Sequence, residues 1–211
     1  MKVRIENLHH PPGSQIRDML PDDVTAAAEI HLRSFPGFFL SFLGPSFLKE
    51  FYRNMVDSPF GVAIVVCCQN EVAGLACGSY KISAFYRDFI KTRWLNLSLA
   101  ALPSVVKKPS TAVRLMRAII TRPGFDKDIS IPGELSSIAV DPEWEGRGLG
   151  RALLTAFLQR MKSSGCTEMT LDTDRDNNER VNAFYLRNGF TLAGTDRTPE
   201  GRWMNRYIIK L

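Results

Sequence analysis

The chain has 211 residues, 45% of them hydrophobic and 23% charged, close to the average soluble globular protein. That length favours one domain with room for a sizeable core, and it excludes a disordered tail, a collagen-like repeat and a small disulfide scaffold. The net charge of +5 is compatible with nucleic acid, a membrane surface or an anionic small molecule, and the total alone does not choose among them.

The opening Met1-Lys2-Val3-Arg4 turns charged at once and has no apolar stretch of signal-peptide type, so a cytoplasmic location is expected. Residues 1–14 read as an irregular lead-in and 15–20 as a first strand. Asp22 and Asp23 follow Pro21 and open an alanine-rich helix over 24–33, with acids where the helix dipole favours them. Phe35-Pro36-Gly37 breaks it. A second helix runs over 44–56 with Phe47, Leu48, Phe51, Tyr52 and Met55 on one face. Residues 62–68 and 72–80 are β-rich and separated by Gln69-Asn70-Glu71, the pattern of a hairpin. The segment 84–126 has a different character, aromatic and basic, with two helices expected at about 85–101 and 109–121 between Pro103, Pro109 and Pro123. Its weakly charged stretch 94–106 is 13 residues long, short of the ~20 that a membrane span requires. Strand 134–140, a glycine-rich turn, helix 148–163, strand 168–173, helix 178–187 and strands 190–193 and 203–209 complete an α/β order in a single domain, 1–211. Cys67, Cys68, Cys77 and Cys166 form no CxxC pair and read as reduced, buried thiols. His9, His10 and His31 lack metal-ligand spacing, and no metal is expected.

The most informative stretch runs from Ile138 through Asp141-Pro142-Glu143-Trp144-Glu145-Gly146-Arg147-Gly148-Leu149-Gly150-Arg151. A buried strand enters a turn with three glycines and passes directly into a helix whose apolar face carries Leu149, Leu153, Phe157 and Met161. Backbone amides at such a helix start, helped by the dipole, form an anion site, and Arg147 and Arg151 add full charges. This chemistry suits a pyrophosphate. A Walker loop is excluded because no Gly-Lys-Ser/Thr occurs, and a dinucleotide fingerprint because Arg151 stands where its third glycine belongs.

With these residues the chain resembles the GNAT superfamily of acetyl-CoA-dependent N-acetyltransferases. That family's loop reads (Q/R)xxGx(G/A), and Glu145-Gly146-Arg147-Gly148-Leu149-Gly150 follows it except for Glu145 at the Gln/Arg position. Asn178-Glu179-Arg180-Val181-Asn182-Ala183-Phe184-Tyr185, followed by Gly189-Phe190, resembles the family's Nxx(A/V)xxxYxxxGF helix and strand. Ile16-Arg17 with Asp22-Asp23 resembles its first strand and helix start. The resemblance implies an α/β GNAT fold: a mixed, mostly antiparallel central sheet of six to seven strands flanked by helices, with the helical insertion, about 84–126, between strands 3 and 4. It also implies acetyl-CoA as cosubstrate, with Gly146, Arg147, Gly148, Gly150 and Arg151 around its pyrophosphate. The Ile138 and Val140 backbone and Asn178 would line its pantetheine arm. A carboxylate at 145 beside phosphates predicts weaker binding rather than none.

Acetyl transfer to an alkylammonium of pKa ~10.4 costs about 4–5 kcal/mol in deprotonation at neutral pH, so a base is wanted. Glu134 matches a position where some family members carry a catalytic glutamate; the other reading is a strand-edge acid facing solvent, since alternation could aim it either way. Tyr185 matches the family's general acid for the departing thiolate; a core aromatic is compatible with that role. Arg187 is either a contact to the coenzyme's outer phosphate or a solvated helix end, and Asp172 and Asp174 read as turn-forming acids at a strand end.

The acceptor is less legible. A primary amine of a small molecule leads, with an amino sugar among the candidates. Protein lysine or N-terminal acetylation and a non-catalytic acyl-CoA-binding module are the alternatives. Phe35-Pro36-Gly37-Phe38-Phe39 and the insertion stand where the family builds its acceptor site. The insertion holds eight basic residues and two acidic ones, so the rest of the chain is close to neutral. No nucleic-acid motif accompanies this charge, and no nucleic-acid partner is expected. The insertion suits an anionic acceptor, a peripheral membrane contact through Phe85, Phe89, Trp94 and Leu97, or a homodimer contact.

Overall fold

The computed structural model describes residues 13–107, 133–198 and 201–211. They build one seven-stranded sheet. Its strands are β1 (Ser14–Asp18), β2 (Gly61–Cys68), β3 (Glu71–Ser79), β4 (Gly133–Val140), β5 (Glu168–Asp174), β6 (Thr191–Arg197) and β7 (Trp203–Lys210), in the spatial order β1-β2-β3-β4-β5-β7-β6. All neighbours are antiparallel except β4 and β5. This is the mixed, mostly antiparallel sheet expected from the sequence. The β2–β3 hairpin turns through Gln69 and Asn70, both at positive φ, a backbone region that asparagine tolerates well in tight turns.

Helices cover both faces. On one lie α1 (Val24–Ser34), the single turn α2 (Phe39–Phe42), α3 (Pro45–Asp57) and the start of α4 (Ile82–Lys107). Their Ala27, Ala28, Ile30, Leu48, Phe51, Tyr52 and Met55 pack on Val65, Leu75, Cys77 and Ala139 of the sheet. On the other lies α5 (Leu149–Ser163), whose Leu149, Leu153, Phe157 and Met161 pack on Ile64, Val66, Ala76, Leu135 and Met169. The last helix, α6 (Glu179–Arg187), contributes Tyr185 to that second cluster. Gly44, at φ 87°, turns the chain into α3, and Pro45 opens the helix where its missing N–H is harmless.

The Ile16-Arg17 and Asp22-Asp23 pattern has a structural meaning. Arg17 Nη1 and Nη2 donate to Asp23 at 2.5 and 2.9 Å, and the Leu20 amide donates to Asp23 Oδ2 at 2.7 Å. The carboxylate thereby ties β1 to the start of α1, and its pKa is lowered by the Arg17 hydrogen bond.

The insertion lies between β3 and β4, as expected. Its first helix is longer than the sequence reading gave, Ile82–Lys107 instead of about 85–101. The second, at about 109–121, lies outside the described residues. Two corrections concern faces. Phe85 and Phe89 do not form an outward apolar face; they are buried, with Phe89 stacked against Phe85 at 6.0 Å and edge-on to Phe51 at 6.1 Å. They join the core cluster with Phe51 and Leu48, and Arg93 on the same side is anchored to Glu50 at 3.1 Å and to Asp57 of α3. Asp172 and Asp174 do not form a turn. They sit within β5, and Arg206 and Arg202 bind them.

Truncating the buried Phe85 ring removes packing without removing charge, so Phe85→Ala should lower unfolding free energy by about 3–5 kcal/mol. Urea denaturation checks this; a change of a few tenths would place the ring at the surface.

Candidate functional site

The parallel pair β4–β5 is joined only at its beginning. Gly133 pairs with Met169 and Glu134 with Thr170, and no further pairs follow. Beyond them β4 remains paired with β3 as far as Val140, while β5 runs on beside β7 as far as Asp174. The sheet therefore opens into a split between the second halves of β4 and β5. Backbone polar groups on such an edge require a partner. The Asp141 amide donates back to Ala73 O at 2.9 Å. Successive amides of a strand alternate edges, so Val140 and Ile138 present theirs to the split.

The glycine loop stands at its mouth. Gly146 and Gly148 have φ of 76° and 80°, and Gly148 is the residue preceding α5. A Cβ at either position would meet open space. These glycines are thus required by backbone conformation rather than by crowding. A left-handed residue just before a helix turns the first free amides of α5 outward together. Gly150 lies inside the first turn, where an added Cβ would meet Val140 Cγ2 at an ordinary 3.8 Å. Arg147 stacks on Trp144 at 4.5 Å and donates to Glu143 O at 3.3 Å, while Arg151 is exposed on α5. Glu145, the departure from the family loop, lies 3.9 Å from Arg180 at the start of α6, both well exposed.

Asn178 precedes α6. Its Nδ2 donates to Thr173 Oγ1 at 2.9 Å and to Asp174 O at 3.0 Å, pinning the helix to the end of β5. Asn182, one turn on, donates to Asp174 O and Asn178 O and accepts from Tyr207 Oη at 2.8 Å. Tyr185 is buried between Phe190 and Tyr207, at ring distances of 5.5 and 5.8 Å. Burial pushes its phenol well above the usual range, so at neutral pH the group is a hydrogen donor.

A bulge decides the direction of Glu134. Gly78 pairs with Leu135 and Cys77 with Ser137, leaving Ser136 as the extra residue. Leu135 accordingly packs on the α5 side, and Ala139 on the α1 side. Glu134, adjacent to Leu135 and opposite Ser79, faces the α1 and α3 side at the root of the split. Tyr185 belongs to the cluster on the other side. The two residues singled out as base and acid therefore lie on opposite faces of the sheet. Arg206 of β7 senses the Glu134 charge as well as Asp172 and Asp196, and all three raise its pKa.

Several neighbours of this site had no sequence signal. Arg202 lies over the Phe38 ring at 4.3 Å and binds Asp174, joining the α1–α2 loop to the β6–β7 turn across the open side of the sheet. Arg33 binds Asp141, and Ser34 Oγ donates to Val140 O at 3.5 Å, holding the end of α1 over the end of β4. Beneath that helix His31 Nδ1 lies 2.7 Å from Tyr52 Oη, and Ser137, beside the bulge, lies near the same hydroxyl. His31 Nε2 and Ser136 Oγ are buried with no partner among the described residues. Among the described residues no three His, Cys, Asp or Glu side chains gather into a metal cage.

The comparisons with known proteins agree with this geometry. Residues 123–190 match the model of the Acetyltransferase (GNAT) family. A 71-residue stretch is 41% identical to the mycothiol acetyltransferase of Propionibacterium freudenreichii, covering 34% of this chain and 22% of that protein. A 105-residue stretch is 30% identical to N-alpha-acetyltransferase 30 of Schizosaccharomyces pombe, covering 50% of this chain and 63% of that protein. The chain thus spans only about a fifth of the first relative's length and under two thirds of the second's. The structure of yncA, a putative acetyltransferase from Salmonella typhimurium with its cofactor acetyl-CoA, superposes with a TM-score of 0.61 at 14% identity, covering 94% of each chain. That likeness establishes the fold. In sequence, residues 123–190 are similar to the GNAT family of acetyltransferases.

Burial lowers the His31 pKa from 6.5 to about 4. An unfolded imidazole takes its proton near pH 6.5, the buried one only near pH 4, so protonation in between favours the unfolded chain. The stability from neutral burial is therefore complete above pH 6.5 and is lost as pH falls toward 4. From about pH 7 to about pH 5 the native protein should lose about 2 kcal/mol more than His31→Phe. Urea unfolding at both pH values measures the difference; equal slopes would contradict it.

Proposed function

We propose that the chain is an N-acetyltransferase that moves an acetyl group from acetyl-CoA directly to a primary amine. One observation carries this reading: the split between β4 and β5, with two strand amides on its edge and a glycine-shaped helix start at its mouth. A pantetheine arm has amides spaced along an extended chain, and an open strand edge pairs with such a chain as it would with another strand. The Ile138 and Val140 backbone would hold the arm, and Asn178 Oδ1 remains available to accept from it. The pyrophosphate would sit on the amides of Gly146, Gly148 and Gly150, with Arg147 and Arg151 supplying charge. Acetyl-CoA brings the activated thioester.

The acceptor ammonium must lose its proton before nitrogen can attack. Glu134 stands at the root of the split on the acceptor side and takes that proton, directly or through a water. The bulge at Ser136 breaks the strand's regular ladder next to the reacting carbonyl, which frees backbone N–H groups to face the developing oxyanion. Tyr185, held protonated, donates toward the sulfur as it leaves. A thiol of pKa ~8.5 departs with modest help, so the loss of Glu134 should cost more than the loss of Tyr185.

For the acceptor, a small-molecule amine is the leading reading, with amino sugars as one class. The mycothiol acetyltransferase relatives support it by name. The likeness to N-alpha-acetyltransferase 30, which extends over more of this chain, favours an α-amino group as the second reading. The Phe38–Arg202 stack and Asp174 form the wall that would meet either one.

Thiol release measured with amines, amino sugars and peptides tests the proposal. Turnover on one class is expected, with Glu134→Gln lowering kcat about 10²-fold or more and Tyr185→Phe lowering it less. Coenzyme A binding without turnover on any class would instead make the protein an acyl-CoA-binding module. Near-normal kcat in Glu134→Gln would remove Glu134 from the mechanism.

A further inference from the structure

The outer half of α4 exposes several large apolar side chains. From Trp94 to Val106 the helix sequence contains no charged residue. Leu95, Leu99 and Val106 are 56%, 68% and 72% exposed. Their spacing of four and seven residues puts them on one stripe, away from the side where Phe85, Phe89 and Arg93 hold α4 against α3. The patch continues beyond the helix. Ala100 packs on Leu43 and Phe47, and Phe42, next to Leu43, is 50% exposed. Lys91 and Arg87 are exposed one and two turns before Leu95 on adjoining positions of the helix, and Lys107-Lys108 follow the apolar stretch in sequence.

Scattered exposed leucines are ordinary; three large apolar side chains on one stripe of an uncharged helix segment, with exposed cations before it, are not. The helix is not long and apolar enough to cross a bilayer. A second copy packed on the same face would bring the exposed Arg87 and Lys91 close to their own counterparts. An anionic bilayer meets both features at once, taking the leucines into the acyl boundary and the lysines and arginines at the headgroups.

We propose that α4, through Leu95, Leu99 and Val106 with Phe42 beside them, docks the protein on an anionic lipid surface. The contact of Ala100 with Leu43 and Phe47 places this surface next to the end of α2 and the start of α3, on the α1–α3 face of the sheet, so that face would lie toward the membrane. The inference is independent of acetyl transfer, and its test involves no turnover.

Co-sedimentation with phosphatidylcholine vesicles, with and without about one-third phosphatidylglycerol, decides it. The full chain should pellet with the anionic vesicles, weaken with added salt, and stay in solution with the neutral ones. The double variant Leu95→Asn, Leu99→Asn should reduce binding at least about tenfold. These side chains are exposed, so its circular dichroism should match the parent's; Phe42→Ser is a second variant, outside α4, expected to weaken binding as well. A wild-type chain that stays in solution with both vesicles overturns the proposal, as does pelleting that neither variant diminishes. A dimer in analytical ultracentrifugation that Leu99→Glu dissociates would assign the face to a second copy and overturn it too.

Discussion

Gly133 and Glu134 are the only residues of β4 that pair with β5, and the architecture around the site follows from that short parallel contact. At its root the pair is closed, and seven strands form one continuous sheet. Past it β4 is held by β3 alone and β5 by β7 alone. Each strand's outer half is thus held on one edge only, and its other edge stays open toward the gap. The amides of Ile138 and Val140 stay on an open edge whose strand is already fixed by its ladder to β3. An edge preorganised in this way binds an extended amide chain without paying for its own ordering.

The same divergence places the rest of the site. α5 must leave the end of β4 and return to the beginning of β5, and its N-terminus falls at the mouth of the split. Gly146 and Gly148, in left-handed conformations, make the turn sharp enough to bring the helix start there. α6 begins where β5 ends, and Asn178 and Asn182 fasten it by hydrogen bonds to Thr173 and Asp174. On the other face, Arg33–Asp141 holds the end of α1 above the end of β4, and Arg202 reaches from the β6–β7 turn to Phe38. Residues from five separate stretches of chain are in this way assembled around one gap.

The strand and helix order was legible because hydrophobic period and glycine punctuation are local properties. The loop from Glu145 to Gly150 could be read for the same reason, since its chemistry lies in six consecutive residues. The orientation of Glu134 could not. It depends on a single unpaired residue, Ser136, that shifts the alternation between Leu135 and Ala139, and nothing in Glu134-Leu135-Ser136-Ser137 marks which residue is extra. Phe85 and Phe89 were assigned to the wrong face for a related reason. Charged and apolar residues are spread around α4, so its sequence does not mark the core side, which the packing of Phe85 and Phe89 with Phe51 settles. The Arg202–Phe38 stack and the His31–Tyr52 pair join residues far apart in sequence. Asp172 and Asp174 were mistaken for turn residues because their arginine partners lie about thirty positions further on.

The central claim is that the coenzyme pairs with β4 inside the split. Amide hydrogen exchange with and without saturating coenzyme A tests it most directly. The account predicts slowed exchange at Ile138, Val140 and the amides from 146 to 150, with Ile64 and Leu75 in the paired sheet unchanged. Coenzyme A that binds while leaving Ile138 and Val140 exchanging at their free rates would contradict it.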